Sequence, residues 1–178
     1  YQLRQVVTGA YSTHHPLLHT LALGGLLQLG RALGDINLGA ALYTALQMAL
    51  LAGCFALTCG SIARQSGARA AKRAAVFFAL YPLNMVMAVN ATKDVLFGGF
   101  FALTLALLNE IQEKPSRGLA LKIAACGALA VMLRNNMAYA ALVWLAILTL
   151  GLRKGEKSAA LAMLLALTVG LCGNAALK

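Results

Sequence analysis

Three short clusters of polar side chains interrupt an otherwise apolar sequence. The clusters are residues 11–19, with His14, His15 and His19; residues 90–94, with Lys93 and Asp94; and residues 134–136, which are Arg134, Asn135 and Asn136. Two cations beside imidazoles suit a phosphate, because the planar guanidinium of arginine can donate to two oxygens at once. Asparagine amides and a carboxylate can hydrogen-bond sugar hydroxyls. The combination predicts a site for a sugar phosphate.

The composition places these clusters in a membrane protein. Hydrophobic residues make up 61% of the 178 residues and charged residues 11%, against about 45–50% and about 25% in soluble domains. Lipid solvates such an apolar surface, which a soluble chain of this length could not bury. The net charge of +10 lies in short loops between apolar runs, so no nucleic-acid partner is expected. Because the sequence opens at Tyr1 without a methionine, we expect a part of a longer protein.

Six apolar runs are candidates for membrane-spanning helices. They are Leu38–Ala63, Ala74–Val89, Val95–Leu108, Gly118–Leu133, Met137–Leu152 and Ala159–Leu177. Several are shorter than the roughly 20 residues that a crossing helix needs, so tilt or local thinning of the bilayer would have to compensate. The segment Pro16–Leu33 is short and contains His19 and Gln28, which predicts a helix along the membrane surface.

The predicted fold is therefore all-α, a polytopic transmembrane helix bundle forming one domain over residues 1–178. Residues 1–37 are expected to form an external loop with a juxtamembrane helix, and residues 38–178 six transmembrane helices.

Loop charge predicts the orientation of the bundle. Ten of the fifteen basic residues fall in three alternate loops, which the positive-inside rule marks as cytoplasmic. They are Arg64, Arg69, Lys72 and Arg73; Lys114, Arg117 and Lys122; and Arg153, Lys154 and Lys157. The three polar clusters then share the extracytoplasmic face. Ionisable groups at a membrane boundary cost enough free energy to suggest a function.

Each cluster also has a purely structural interpretation. Arg134 could anchor a helix end among the lipid headgroups, and Lys93 could pair with its neighbour Asp94. Asn135 and Asn136 could cap the following helix. The three histidines could bind zinc, but their spacing fits no standard site. No metal ligand is therefore assigned, and the use of a divalent metal stays open.

The order of four motifs carries a family resemblance. His-His-Pro-Leu at residues 14–17 is followed by the amphipathic segment 17–33, Tyr-Pro-Leu at 81–83, Thr-Lys-Asp-Val-Leu at 92–96 and Arg-Asn-Asn at 134–136. In this order the chain resembles the multi-spanning GT-C glycosyltransferases, which use polyprenyl-phosphate-linked sugars. It is most similar to their protein mannosyltransferase and aminoarabinose-transferase branch, whose first external loop contains His-Pro-Pro-Leu, and to related bacterial membrane proteins.

The resemblance implies an inverting transfer of a sugar from a polyprenyl-phosphate donor to a glycan, lipid or protein acceptor. The reaction would take place at the extracytoplasmic face of a bacterial cytoplasmic membrane. By this resemblance Arg134 and Lys93 stabilise the leaving phosphate, the histidines line the sugar or phosphate pocket, and Asp94 positions a substrate group or a metal.

The catalytic carboxylate of the family is the main departure. It follows the first span, whereas no acidic residue precedes Asp35 here, so we expect it upstream of Tyr1. If it is absent altogether, the protein is not a transferase.

Two other functions stay open. A transporter or flippase of lipid-linked or anionic solutes would typically show internal repeats and helices broken near the midplane. The sequence shows no repeat, and Pro82 is the one proline well inside a predicted span. A membrane scaffold could use Gly98 and Gly99 for close helix packing, but packing does not explain the polar clusters. The transferase is thus the predicted function.

Overall fold

The computed structural model describes residues 17–149 and 154–177, which form eight α-helices joined by short turns. The helices are α1 (Leu17–Ala32), α2 (Ile36–Ser66), α3 (Ala68–Leu80), α4 (Pro82–Ala88), α5 (Lys93–Glu113), α6 (Arg117–Leu133), α7 (Met137–Thr149) and α8 (Lys154–Ala176). The predicted all-α class is confirmed for these residues. Helix α1 coincides with the predicted juxtamembrane segment, and over the described residues each predicted apolar run lies within one or two helices, to within a residue at its ends.

Three of the described helices are long and apolar enough to cross a membrane. They are Ile36–Ser66, Lys93–Glu113 and the stretch Gly155–Ala176 within α8. Much of the remaining surface is also apolar, since α3 and α4 contain no buried residue and Leu80 is 65% exposed. Lipid is the medium that such a surface requires. The structure therefore supports a helical membrane protein, while the number of six spans stays a prediction.

The core lies among α5, α6, α7 and α8, with Cys54 contributed by α2. Helix α5 packs against α2, α6 and α8, and α6 also packs along α8. Leu108 of α5 and Ile123 of α6 are fully buried there. Small residues allow the backbones to approach closely, because a Cβ atom at Gly170 would meet Val131 across the α6–α8 contact. These packed helices carry the turns that contain the polar clusters.

The turns between helices gather at two ends of the bundle. We call one the Asp94 end, which contains the turns at residues 89–92 and 134–136. Gln47 connects α2 to the first of these turns, because its side chain donates to the carbonyl of Asn90 at 2.8 Å. We call the other the Glu110 end, where Arg64 of α2 pairs with Glu110 of α5. The second and third polar clusters of the sequence therefore occupy the same end.

The second apolar run is divided into two helices at Tyr81–Pro82. Proline has no N–H group, so the carbonyl of Phe78, four residues earlier, loses its helical partner. The side chain of Asn84 replaces it, with Nδ2 donating to that carbonyl at 3.1 Å. Tyr81 adopts an extended backbone and Pro82 begins α4. The break leaves α4 as a seven-residue helix leading to the Asp94 end.

Helix α1 is held against α2 by two facing glycines. A Cβ atom built on Gly30 would contact the backbone nitrogen of Gly39 and lie 2.6 Å from its Cα. A Cβ atom on Gly39 would in turn lie 2.8 Å from the Cα of Leu27. The reversal between the helices uses Gly34, whose φ of 94° suits glycine above other residues. Side chains at this crossing would force α1 away from α2.

We expect Gly30→Ala to destabilise the protein by about 1–3 kcal/mol, the typical cost of overpacking. Gly25→Ala, in the same helix, is the matched control, because no atom lies within 4 Å of its Cβ position. Alanine there should be neutral or stabilising by up to about 1 kcal/mol, since it favours the helix. Thermal unfolding of the detergent-solubilised variants, followed by circular dichroism, compares the two. Equal melting temperatures would contradict the packing described here.

Candidate functional site

An ion pair between Asp94 and Arg134 forms the exposed part of the candidate site. Asp94 lies in the first turn of α5, where a helix N-terminus favours negative charge. Arg134 follows the last turn of α6 in an extended conformation, and its Nη1 lies 3.3 Å from Oδ1 of Asp94. The guanidinium also lies over the ring of Phe97, 5.3 Å from its centroid, a cation–π contact. Both charged side chains remain about half exposed, at 46% and 54%.

Lys93 is close to this pair but does not join it. Asp94 pairs with Arg134 rather than with its neighbour in sequence, and within residues 17–149 and 154–177 Lys93 forms no ion pair. The alternative interpretation of a Lys93–Asp94 pair is therefore wrong for the described residues. The ammonium group of Lys93 is left available for an anionic ligand at the same end of α5.

The two asparagines of the third cluster differ in their contacts. Asn174 of α8 donates from Nδ2 to the carbonyl of Val131 at 3.3 Å and to Oδ1 of Asn135 at 3.5 Å. Asn135 therefore ties the turn to α8, while Asn136 is exposed. Through this contact the position of Arg134 depends on α8 as well as on α6.

His19 is the member of the first cluster that the structure describes, and it lies next to the second cluster. His14 and His15 lie outside the described residues. The side chain of His19 is 1% exposed, and its ring centroid is 5.5 Å from that of Tyr43, in an edge-on arrangement. Burial lowers the pKa of His19 to about 4, with Lys93 adding to the decrease and Asp94 opposing it. His19 is thus neutral near pH 7.

Beneath the ion pair, α2 contributes two further polar side chains that the sequence analysis did not single out. Tyr43 is 2% exposed and Gln47 is fully buried. They are four residues apart and so share one face of α2. Gln47 Nε2 donates to the carbonyls of Ala88 and Asn90, at 2.9 Å and 2.8 Å. A glutamine within an apolar run was the available signal, because a buried amide requires partners.

An apolar groove begins beside Asp94 and runs between α5 and the broken pair α3–α4. Its volume is about 400 Å³, and Asp94 is the charged residue among those that line it. The walls include Leu51, Phe55, Phe78, Tyr81, Met87 and Val95. Phe55 and Phe78 stack in parallel with centroids 4.2 Å apart. This groove thus joins an apolar surface of the helices to the charged pair.

A second polar group, absent from the predicted site, lies at the Glu110 end. Arg64 contacts both carboxylate oxygens of Glu110, from Nε at 2.6 Å and from Nη2 at 2.9 Å. Ser61 donates to the same carboxylate, and Gln65 donates to Ser61 and to the carbonyl of Ala106. The Glu110 side chain is 8% exposed. This network connects α2 to α5.

A metal site is not supported among residues 17–149 and 154–177. They contain no group of three or more histidine, cysteine, aspartate or glutamate side chains that could hold a metal ion. Asp94 is paired with a cation instead.

The long apolar helices and the polar groups at their ends define the class of this chain, an α-helical membrane protein. Residues 7–176 match the family described as "Family of unknown function (DUF6020)". Because this match covers nearly the whole sequence, the chain belongs to that family. No curated protein matches the chain, and no solved structure does.

The buried, neutral His19 predicts a pH dependence of stability. The pKa of His19 is about 4 in the folded protein and about 6.5 when unfolded, so the unfolded chain binds more protons between these values. Stability should fall as the pH decreases through this window, by about 2 kcal/mol at pH 5. Melting temperatures at pH 7.5 and pH 5 measure the loss.

The variant His19→Phe is the test of that assignment, because phenylalanine retains the ring contact with Tyr43 and cannot be protonated. Its melting temperature should change less with pH than that of the wild type. A His14→Gln, His15→Gln variant serves as the control for the other two histidines and should retain the wild-type dependence. Equal pH dependence in wild type and His19→Phe would remove His19 as the cause.

Proposed function

We propose that this chain is part of a membrane glycosyltransferase that moves a sugar from a polyprenyl-phosphate donor to an acceptor at the Asp94 end. The GT-C resemblance and the polar clusters motivate the proposal. The observation that carries it is the apolar groove that ends at Asp94, whose carboxylate pairs with Arg134. A polyprenyl phosphate has the same division, with an apolar chain on one side of a charged group.

The apolar groove suits the isoprenoid chain. Aromatic and aliphatic side chains dominate its lining, and an isoprenoid chain makes apolar contacts with them like those it makes with lipid tails. Its occupant in a membrane competes with bulk lipid, so chain shape alone gives little selectivity. Selectivity would come from the phosphate at the Asp94 end.

Arg134 and Lys93 are the proposed phosphate ligands. Arg134 uses Nη1 for Asp94, which leaves Nε and Nη2 to donate to two phosphate oxygens. Lys93 adds a second positive charge next to Asp94 in sequence. The carboxylate of Asp94 holds the guanidinium in place and also makes the pocket less positive, which favours departure of the product phosphate.

The proposed reaction is a single displacement at the anomeric carbon. A carboxylate acts as general base and accepts the proton of the acceptor hydroxyl. The hydroxyl oxygen then forms a bond to the anomeric carbon, and the bond from that carbon to the phosphate oxygen breaks. Its electron pair leaves with the polyprenyl phosphate, where the cations stabilise the developing charge. Asp94 is the candidate base within the described site, and the family resemblance assigns this role to a different, upstream carboxylate.

The experiment that tests the proposal is mass spectrometry of lipids that copurify with the protein. Wild type should enrich polyprenyl phosphate or its sugar conjugate over bulk phospholipid. A Lys93→Ala, Arg134→Ala variant should lose that enrichment, while a Lys72→Ala, Arg73→Ala variant in exposed positions of α3 should retain it. Bulk phospholipid alone in all three preparations would contradict a polyprenyl-phosphate site.

A transporter or flippase of lipid-linked or anionic solutes is the second candidate. The observation that favours it is the helix break at Tyr81–Pro82 beside the groove, because transporters often bind substrates at discontinuous helices. Proteoliposomes with a sugar-linked polyprenyl phosphate in one leaflet separate the two functions. A flippase moves the intact lipid between leaflets, whereas a transferase supplied with an acceptor hydroxyl releases polyprenyl phosphate.

A further inference from the structure

Five polar atoms under the Asp94–Arg134 pair have no hydrogen-bond partner among the described residues. They are both ring nitrogens of His19, the hydroxyl of Tyr43, Oε1 of Gln47 and Oγ1 of Thr92. Leaving a buried polar group without a partner typically costs about 1–3 kcal/mol, and such groups are rare in native proteins. Four such side chains in one place indicate a group of atoms whose hydrogen-bond partners come from a ligand.

Contacts join these side chains into one patch. His19 meets Tyr43 edge-on, and Tyr43 lies one helical turn from Gln47 on α2. Gln47 holds the carbonyl of Asn90, which also accepts from the backbone nitrogen of Thr92 at 2.8 Å. Thr92 directly precedes Lys93. The patch is thus continuous with the proposed phosphate ligands.

The chemistry of the patch selects against an anion. Both carbonyls that Gln47 contacts require a donor, so its NH₂ group is fixed toward them and its free atom is the oxygen Oε1. That oxygen accepts a hydrogen bond and repels a phosphate oxygen. The hydroxyls of Tyr43 and Thr92 can each donate and accept. A ligand with hydroxyl groups matches all of these atoms, because each hydroxyl also donates and accepts.

We propose that His19, Tyr43, Gln47 and Thr92 form a subsite for the hydroxyl groups of the sugar that the lipid phosphate carries. This inference rests on the proposed function, since it places the sugar next to the phosphate held by Lys93 and Arg134. The cations select the phosphate, and the neutral patch selects the glycosylated lipid over the bare one. After transfer, the bare lipid retains the phosphate contacts alone.

The test compares two ligands on the detergent-solubilised protein by native mass spectrometry. One is polyprenyl phosphate, and the other is the same lipid carrying glucose, galactose or mannose. Wild type should bind at least one conjugate about tenfold or more tightly than the bare lipid. Tyr43→Phe and Thr92→Val, which remove a hydroxyl at nearly constant shape, should each reduce that preference by about five- to tenfold. Neither should change the affinity for bare polyprenyl phosphate.

A second measurement distinguishes ligand binding by Tyr43 from a purely structural role. If Tyr43 has no partner without ligand, Tyr43→Phe should raise the melting temperature of the ligand-free protein, because an unpaired buried hydroxyl is removed. Tyr139→Phe, at a position 70% exposed on α7, is the control and should alter neither quantity. Binding of bare lipid phosphate without preference for any conjugate would overturn this inference alone. Failure to bind either lipid would overturn the proposed function with it.

Discussion

Replacing Arg134 with alanine is expected to reduce release of polyprenyl phosphate from a sugar-linked donor by about 10²–10³-fold. Loss of one preorganised donor to a developing negative charge typically costs about 3–4 kcal/mol of transition-state stabilisation. The assay measures polyprenyl phosphate formed in membrane vesicles that contain the variant. Arg134→Lys should recover only part of the activity, because an ammonium group cannot donate to two oxygens in the planar geometry of a guanidinium.

The controls for Arg134→Ala separate charge from folding. The pair with Asp94 is half exposed on both sides, so its loss should cost no more than about 1 kcal/mol of stability. Arg117→Ala, at the opposite end of the same helix, removes an equal charge and should leave activity unchanged. Near-normal product formation by a well-folded Arg134→Ala variant would exclude Arg134 from the reaction.

Replacing Arg64 with alanine is expected to be the most destabilising change at the Glu110 end. Glu110 is 8% exposed on its side chain and receives two hydrogen bonds from Arg64. Removing the cation leaves a buried carboxylate with Ser61 as its remaining side-chain donor. Breaking a buried pair in this way typically costs about 3–5 kcal/mol, and the 54% exposure of Arg64 places the expected loss near 3 kcal/mol. Thermal unfolding in detergent measures the change.

A second substitution identifies the unpaired charge as the cause. Adding Glu110→Gln to Arg64→Ala should restore part of the stability, because a neutral amide costs less to bury than a carboxylate. Arg69→Ala, at an exposed position of α3, should have little effect. If the double variant were less stable than Arg64→Ala alone, the penalty would have to come from lost packing instead.

The sequence predicts where the helices lie because the apolar runs are long and bounded by charged turns. The sequence predicts the ends of the helices less accurately. The run predicted to end at Leu108 continues as α5 to Glu113, since Glu110 is buried against a partner on α2 that is 46 residues away in sequence. From local hydropathy alone, a glutamate such as Glu110 is assigned to a loop. The pairing that keeps it in the helix is a tertiary contact.

The candidate site, too, was predicted from the sequence only in part. Asp94 and Arg134 could be identified from the sequence, because charged residues are easily recognised between apolar runs. Tyr43 and Gln47 were not, because tertiary contacts determine which neighbours a tyrosine and a glutamine within a 31-residue helix face. For Tyr43 that neighbour is His19, which lies on α1 and is brought close by the contact of α1 with α2 at Gly30 and Gly39. Such close backbone contacts depend on helix rotation, which hydropathy does not specify.

The break at Tyr81–Pro82 bears on how the proposed polyprenyl-phosphate donor would reach the groove. Helix α4 has seven residues and no buried side chain, and its C-terminal end is held by the hydrogen bonds from Gln47. Among the described groove walls it is therefore the one with the weakest attachment, since few apolar contacts restrain it. A long-chain lipid would enter sideways from the bilayer past α4, and its chain would never have to cross water.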